Sequence, residues 1–139
     1  SVDLMRVLAG DMFGIPPDDV VGSSVVTTLR EEDGRLVLRR LATVHGLNDG
    51  PVKPLTFDAQ VGRRPILAVG NIGSGGDIPL LRYSEQPGRP TLQVLVRHDD
   101  FEREYAYDEP DEASTRAAND RGWLIVSMRY DWLRVFGAD

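Results

Sequence analysis

Cysteine is absent from the 139 residues, so disulfides, thiolate zinc sites and thiol nucleophiles are excluded together. A chain without cysteine suits the cytosol, and a cytoplasmic protein is the expectation. Histidine occurs only as His45 and His98, which stand too far apart for a metal-ligand spacing. No apolar run approaches the roughly 20 residues that a membrane helix needs. No charged-then-apolar leader opens the chain, so neither a membrane span nor a signal peptide is expected. Positive charge is scarce as well: 16 lysines and arginines face 22 aspartates and glutamates, for a net charge of −6. The arginines are scattered, and Arg39-Arg40 and Arg63-Arg64 are only pairs. An acidic chain of this kind repels nucleic-acid phosphates, and no nucleic-acid partner is expected. Gly22-Ser23-Ser24 lacks the flanking glycine of a nucleophile elbow, and no Walker-type Gly-Lys-Ser/Thr occurs.

What is present is the balance of a globular domain, with 41% hydrophobic and 27% charged residues, and its length suits a single core. Leu4, Met5, Leu8 and Met12 recur at helical spacing and predict a helix over 3–13, stopped by Gly14 and Pro16-Pro17. Val20-Val21-Gly22 reads as a short buried strand. Residues 25–30 and 36–41 are β-prone and flank Asp33-Gly34, a hairpin signal. Residues 44–51 read as loop, and 54–61 as a short helix. Apolar strands are predicted at 65–69, 92–96 and 123–128, separated by helices through about 77–83 and 112–121. A helical turn is expected over 131–136. Strands alternating with helices predict an α/β fold whose three later strands lie side by side in parallel. Their continuous apolar runs suit a sheet covered on both faces.

The Gly-rich stretch after Val69, Gly70 to Asp77, is the most informative local feature. Glycines let a backbone approach a ligand, and ligands of open parallel sheets bind outside the carboxyl ends of the strands. The same residues also read as a long turn with Asp77 as an ordinary helix N-cap. A dinucleotide fingerprint is not completed, since Gly73 and Gly75 fit its first two positions and Ile78 stands at the third. Lys53, between a tight loop and a helix start, can offer a point charge to a phosphate, although lone lysines are usually solvated. His98-Asp99-Asp100 reads either as a hard-cation site or as a strand-end turn, the commoner case. Glu102 to Asp108 mixes charges and aromatics and can fix a loop by ion pairs. Trp123 and Trp132 are expected in the core or at its rim.

Several strings occur in one order: Phe13 to Ser24, Asp49 to Pro54, Gly62 to Asn71, His98 to Asp108, Gly122-Trp123 and Asp131-Trp132. Together they resemble the phosphoserine-phosphatase-like branch of the haloacid dehalogenase superfamily, over nearly the whole chain. The resemblance implies a Rossmann-like core of three layers, α/β/α, with a mostly parallel sheet and a β-hairpin excursion. The chain would then be the C-terminal portion of such a hydrolase domain, lacking its N-terminal strands. The implied activity is Mg²⁺-dependent hydrolysis of phosphomonoesters through an aspartyl-phosphate, with a small phosphorylated substrate. In this family a lysine before a helix steadies the nucleophile and phosphate charge, and that position falls on Lys53. Asn71, beside Gly70, matches the first polar position of the metal loop, and Asp77 the acidic residue opening the next helix. Asn71 and Asp77 are thus the implied metal-side residues, and Gly70 and Asn71 the phosphate-loop residues. Lys53 and the Gly70–Asp77 loop are expected to approach one edge of the sheet.

Two departures accompany the resemblance. The Asn71-to-Asp77 loop is longer than the family pattern, and Mg²⁺ demands near-octahedral ligands at short range. The nucleophilic Asp-x-Asp followed by Gly-Thr occurs nowhere in the chain. The chain alone is therefore expected to be inactive, with a missing N-terminal segment or self-association through exposed sheet edges completing the sheet. A non-catalytic anion-binding remnant is the alternative.

Overall fold

The computed structural model of the chain describes residues 1–73 and 75–135. It divides into two units, Ser1–Gln60 and Val61–Asp139.

In the first unit, helix α1 (Val2–Phe13) ends at Gly14, whose φ of 66° is left-handed. The N–H of Gly14 then reaches the Gly10 carbonyl at 2.9 Å, and that of Ile15 the Ala9 carbonyl at 3.1 Å, which satisfies the helix end. A 3-10 turn, Pro17–Asp19, follows. Val20 to Gly22 is irregular, contrary to the expected strand. Its first N–H closes the turn on Pro17, and Ser23 gives its carbonyl to the N–H of Val2 at 2.9 Å, so the start of α1 takes the place of a strand partner. Strands β1 (Ser24–Glu32) and β2 (Arg35–Gly46) form the antiparallel hairpin. Asp33 and Gly34 both have positive φ, 49° and 72°, as a two-residue turn matched to strand twist requires. β2 continues to Gly46, further than the sequence indicates, because Val44 and Gly46 still pair with Val25 and Ser24 beyond two register shifts. Helix α2 (Val52–Val61) starts two residues earlier than expected, with Pro54 in its first turn, where a missing N–H costs no helical bond.

The second unit is a parallel sheet in the order β3 (Leu67–Asn71), β4 (Leu92–Arg97), β5 (Leu124–Ser127). Helices α3 (Ile78–Ser84) and α4 (Ala113–Arg121) connect the strands. Gly122 at φ 69° ends α4 and turns the chain into β5. Ala68, Ile72, Leu81, Leu95, Ala118 and Trp123 form the buried core, so both helices pack on one face of the sheet. The opposite face carries Leu67, Val69, Leu92 and Leu124, all exposed. The apolar runs of the strands therefore meet one helical layer within this unit, where the sequence suggests two. No helix among the described residues is long and apolar enough to cross a membrane.

The expected helical turn at 131–136 is not helical over its described residues, 131–135, and Phe136 lies outside them. The carbonyls of Trp132 and Leu133 are occupied by the Arg103 guanidinium, at 2.9 and 3.1 Å, and the Asp131 carboxylate turns back to the Ser127 N–H at 2.8 Å.

Candidate functional site

The carboxyl ends of β3 and β4 carry two loops that meet. The first is the Gly-rich stretch, of which Ser74 lies outside the described residues. A Cβ on Gly70 would stand 2.7 Å from the Cβ of Asp77, closer than side chains approach, so only glycine fits. The Asp77 carboxylate lies against the strand end, and its Oδ2 accepts the Asn71 N–H at 3.0 Å. Asp77 occupies the N-cap position of α3, yet its side chain makes no capping bond. The expectation of an ordinary N-cap is thereby corrected: the carboxylate faces the end of β3, and the glycine opposite makes room for it.

The second loop follows β4. The Asn71 amide nitrogen donates to the Tyr107 hydroxyl, which joins the two loops. The Tyr107 ring stacks on His98, with centroids 4.7 Å apart and planes within 17°. His98 Nδ1 lies 2.8 Å from Glu104 Oε2. Arg97 and Asp108 stand 3.8 Å apart. Arg97, His98, Asp99, Ala106, Tyr107 and Asp108 line a shallow cavity of about 290 Å³.

His98-Asp99-Asp100 is a strand-end turn. Asp100 is buried, and its Oδ1 accepts the N–H groups of Glu102 and Arg103 at 3.1 and 3.2 Å. Burial works against its ionisation, but the Arg103 guanidinium and these two N–H groups outweigh it and hold the carboxyl below its ordinary value. Arg103 also reaches the carbonyls of Met128 and Arg129, and so clasps the segment after β5. Asp99 is occupied by the Ser127 hydroxyl at 2.8 Å and the Arg129 N–H at 3.1 Å. There too burial opposes the charge, and the hydrogen bonds overcome it and lower the pKa. Both aspartates are committed to structure, which accounts for the strand-end turn better than a cation would. Trp123 is buried, with its indole N–H on Glu85 at 2.7 Å, while Trp132, expected in the core or at its rim, is exposed.

Of the residues singled out by sequence, Gly70, Asn71 and Asp77 come together in the second unit. Lys53 belongs to the first unit, where its ammonium stands 3.6 Å from the Asp49 carboxylate. Sequence reasoning missed Tyr107 as the partner of the Gly-rich stretch and Glu104 as the partner of His98. The only signal was that the aromatic and charged string 102–108 follows directly on a strand end. Mg²⁺ requires six oxygens at about 2.0–2.1 Å, and among the described residues no three histidine or acidic side chains converge on a metal position. The described side chains do not complete a Mg²⁺ site. The chain matches no protein-family model, and no curated protein matches it.

Proposed function

We propose that the chain is the C-terminal part of a phosphomonoester hydrolase of the haloacid dehalogenase type, and that alone it turns over no phosphomonoester. The observation that supports this reading is the strand end at Gly70 to Asp77. A glycine there leaves no room for a side chain, and the facing carboxylate is fixed on the Asn71 N–H. This arrangement sits at the carboxyl edge of a parallel sheet, where ligands bind in open α/β folds. The resemblance assigns an acidic residue to the same position. A plain anion-binding module is less well supported. Helix α3, with seven residues, offers only a short N-terminal dipole to an anion.

The reading assigns the nucleophilic aspartate and any further metal ligands to residues outside this sequence. Lys53 is the cation the resemblance names for phosphate charge. Without a nucleophile the covalent route is closed, and positioning alone does not replace it. An assay of aryl phosphate hydrolysis with and without Mg²⁺ tests the proposal on two proteins, this chain and the longest natural reading frame that contains it. The chain is expected to be silent, and the longer frame to be active and disabled by Lys53→Ala. A frame that lacks both Asp-x-Asp and turnover removes the enzymatic reading. Turnover by the chain itself, lost in Lys53→Ala or Asp77→Asn, removes the claim that the nucleophile lies elsewhere.

A further inference from the structure

We infer that Tyr107 is a positioning residue for the Gly-rich loop, held by the Glu104–His98 pair, and that it anchors the Asn71 side-chain amide at the end of β3. Its value for catalysis rests on the reading proposed above, but the positioning itself does not.

The chain leaves β4 at His98 and returns at Tyr107, whose N–H bonds the His98 carbonyl at 3.0 Å. The two aromatic rings are thereby brought into their stack. Behind the imidazole, the Glu104 side chain is only 9% exposed. Its Oε2 meets His98 Nδ1, and its Oε1 is buried with no hydrogen-bond partner. A buried carboxyl group with one partner holds that partner firmly, since losing it would leave its oxygens with neither water nor a hydrogen-bond partner. The imidazole plane is fixed for this reason, and the ring stacked on it is restrained in turn. Gly73 closes the other side: a Cβ there would lie 3.9 Å from Tyr107 Cε2.

The consequence falls on Asn71. Its Nδ2 is spent on the Tyr107 hydroxyl, and its backbone N–H on Asp77. A side-chain amide has one donor edge and one acceptor edge. With both the backbone N–H and the side-chain amide engaged, Asn71 is held at two points, one on each loop. Without the Tyr107 hydroxyl the side-chain amide loses that anchor and is free to rotate.

The Nδ2 resonances of Asn71, observed by NMR on the 139-residue chain, test this directly. Tyr107→Phe removes one oxygen and keeps the ring, so the fold is retained. It is expected to move both Nδ2 protons toward the positions of a solvated amide and to speed their exchange with water. His98→Leu and Glu104→Ala touch neither Asn71 nor the hydroxyl, and are expected to move the same resonances in the same direction. Glu104→Gln, which keeps an acceptor for Nδ1, is expected to restore them. Arg64→Ala removes the cation–π contact with Tyr83 and is expected to leave them in place. Unchanged Asn71 resonances in Tyr107→Phe overturn the inference. A response to Tyr107→Phe alone, with none from His98 or Glu104 variants that retain dispersed spectra, overturns the role of the pair. In the longer reading frame, Tyr107→Phe is expected to lower kcat more than it raises KM. If that frame is inactive the functional reading fails, while the amide resonances still decide the positioning.

Discussion

The two units hold themselves together by different means. The second has a contiguous core in which Ile72 and Leu95 are fully buried between sheet and helices. In the first, only Val2 and Ala9 are buried among its residues, while Leu29, Leu36, Leu38 and Val44 of the hairpin stand exposed. The hairpin is ordered by its ladder and its turn, and single polar links fasten the rest. Arg40 reaches Asp3 at 2.8 Å, Gln60 the Asp18 carbonyl at 3.0 Å, and the Asn48 N–H the Ser23 hydroxyl at 2.9 Å. Apolar burial is the larger stabilising contribution per residue, and hydrogen bonds add about 1 kcal/mol net each. The candidate site occupies the unit with the core, as a preorganised site requires.

The sharpest test of this contrast is a matched pair of leucines. Leu95 is 0% exposed in the core and Leu38 is 65% exposed on β2. Leu95→Ala is expected to destabilise the second unit by about 2–5 kcal/mol, through lost burial and the cavity left behind. Leu38→Ala is expected to change stability by less than about 0.5 kcal/mol. Residue-resolved hydrogen exchange reads both. Equal losses would mean that the hairpin face is covered in solution, and the contrast between the units would be broken.

Gly70→Ala is the next largest, at about 1–3 kcal/mol by overpacking. The added methyl would meet Asp77 Cβ at 2.7 Å, against the root of a side chain rather than its flexible tip. The expected signature is local: loss of protection at the Asn71 N–H, whose acceptor is displaced, with the core strands still protected. Thermal unfolding and exchange of the same variant distinguish this from general loosening.

What was legible in the sequence follows the same division. The parallel strands, their order and the hairpin turn were readable because apolar runs and Asp33-Gly34 are local signals. Val20 to Gly22 and 131–135 were misjudged because their conformations depend on distant partners, the N–H of Val2 in one case and the Arg103 guanidinium in the other. At the site, Gly70 and Asp77 could be named from spacing. Their opposition could not, since it depends on the Asp77 side chain turning away from the helix it starts. Tyr107 was hidden for a related reason: a loop of eight residues separates it from His98, and only the folded loop stacks the two rings.

Smaller again is Gly34→Ala in the first unit. Its φ of 72° is left-handed, where a Cβ costs roughly 1–2 kcal/mol. If the turn and the ladder rather than a core order the hairpin, the loss of protection spreads along β1 and β2 together. Loss confined to Glu32 and Arg35 would show that contacts beyond the turn hold the strands.

The smallest expected effect is electrostatic, and it separates the units by mechanism. Asp3 in the first unit and Asp99 in the second both have carboxyls held below the ordinary value. The Arg40 guanidinium is the cause for Asp3. For Asp99, burial works the other way, and the Ser127 hydroxyl and Arg129 N–H overcome it. A depressed folded-state pKa contributes stability that is present above the unfolded value, about 3.9, and lost as pH falls through the folded one. Acid should therefore loosen both regions below about pH 4. Asp3→Asn and Asp99→Asn should each flatten the acid limb at its own site. Salt decides between the causes: an exposed ion pair is screened, with a Debye length of about 3 Å at 1 M, whereas bonds from neutral donors inside the turn are not. Concentrated salt is expected to erase the difference between Asp3→Asn and the unaltered chain while leaving that of Asp99→Asn in place. If salt erases both, the Asp99 turn is held by charge, through Arg97, and the neutral hydrogen bonds are not what lowers its pKa.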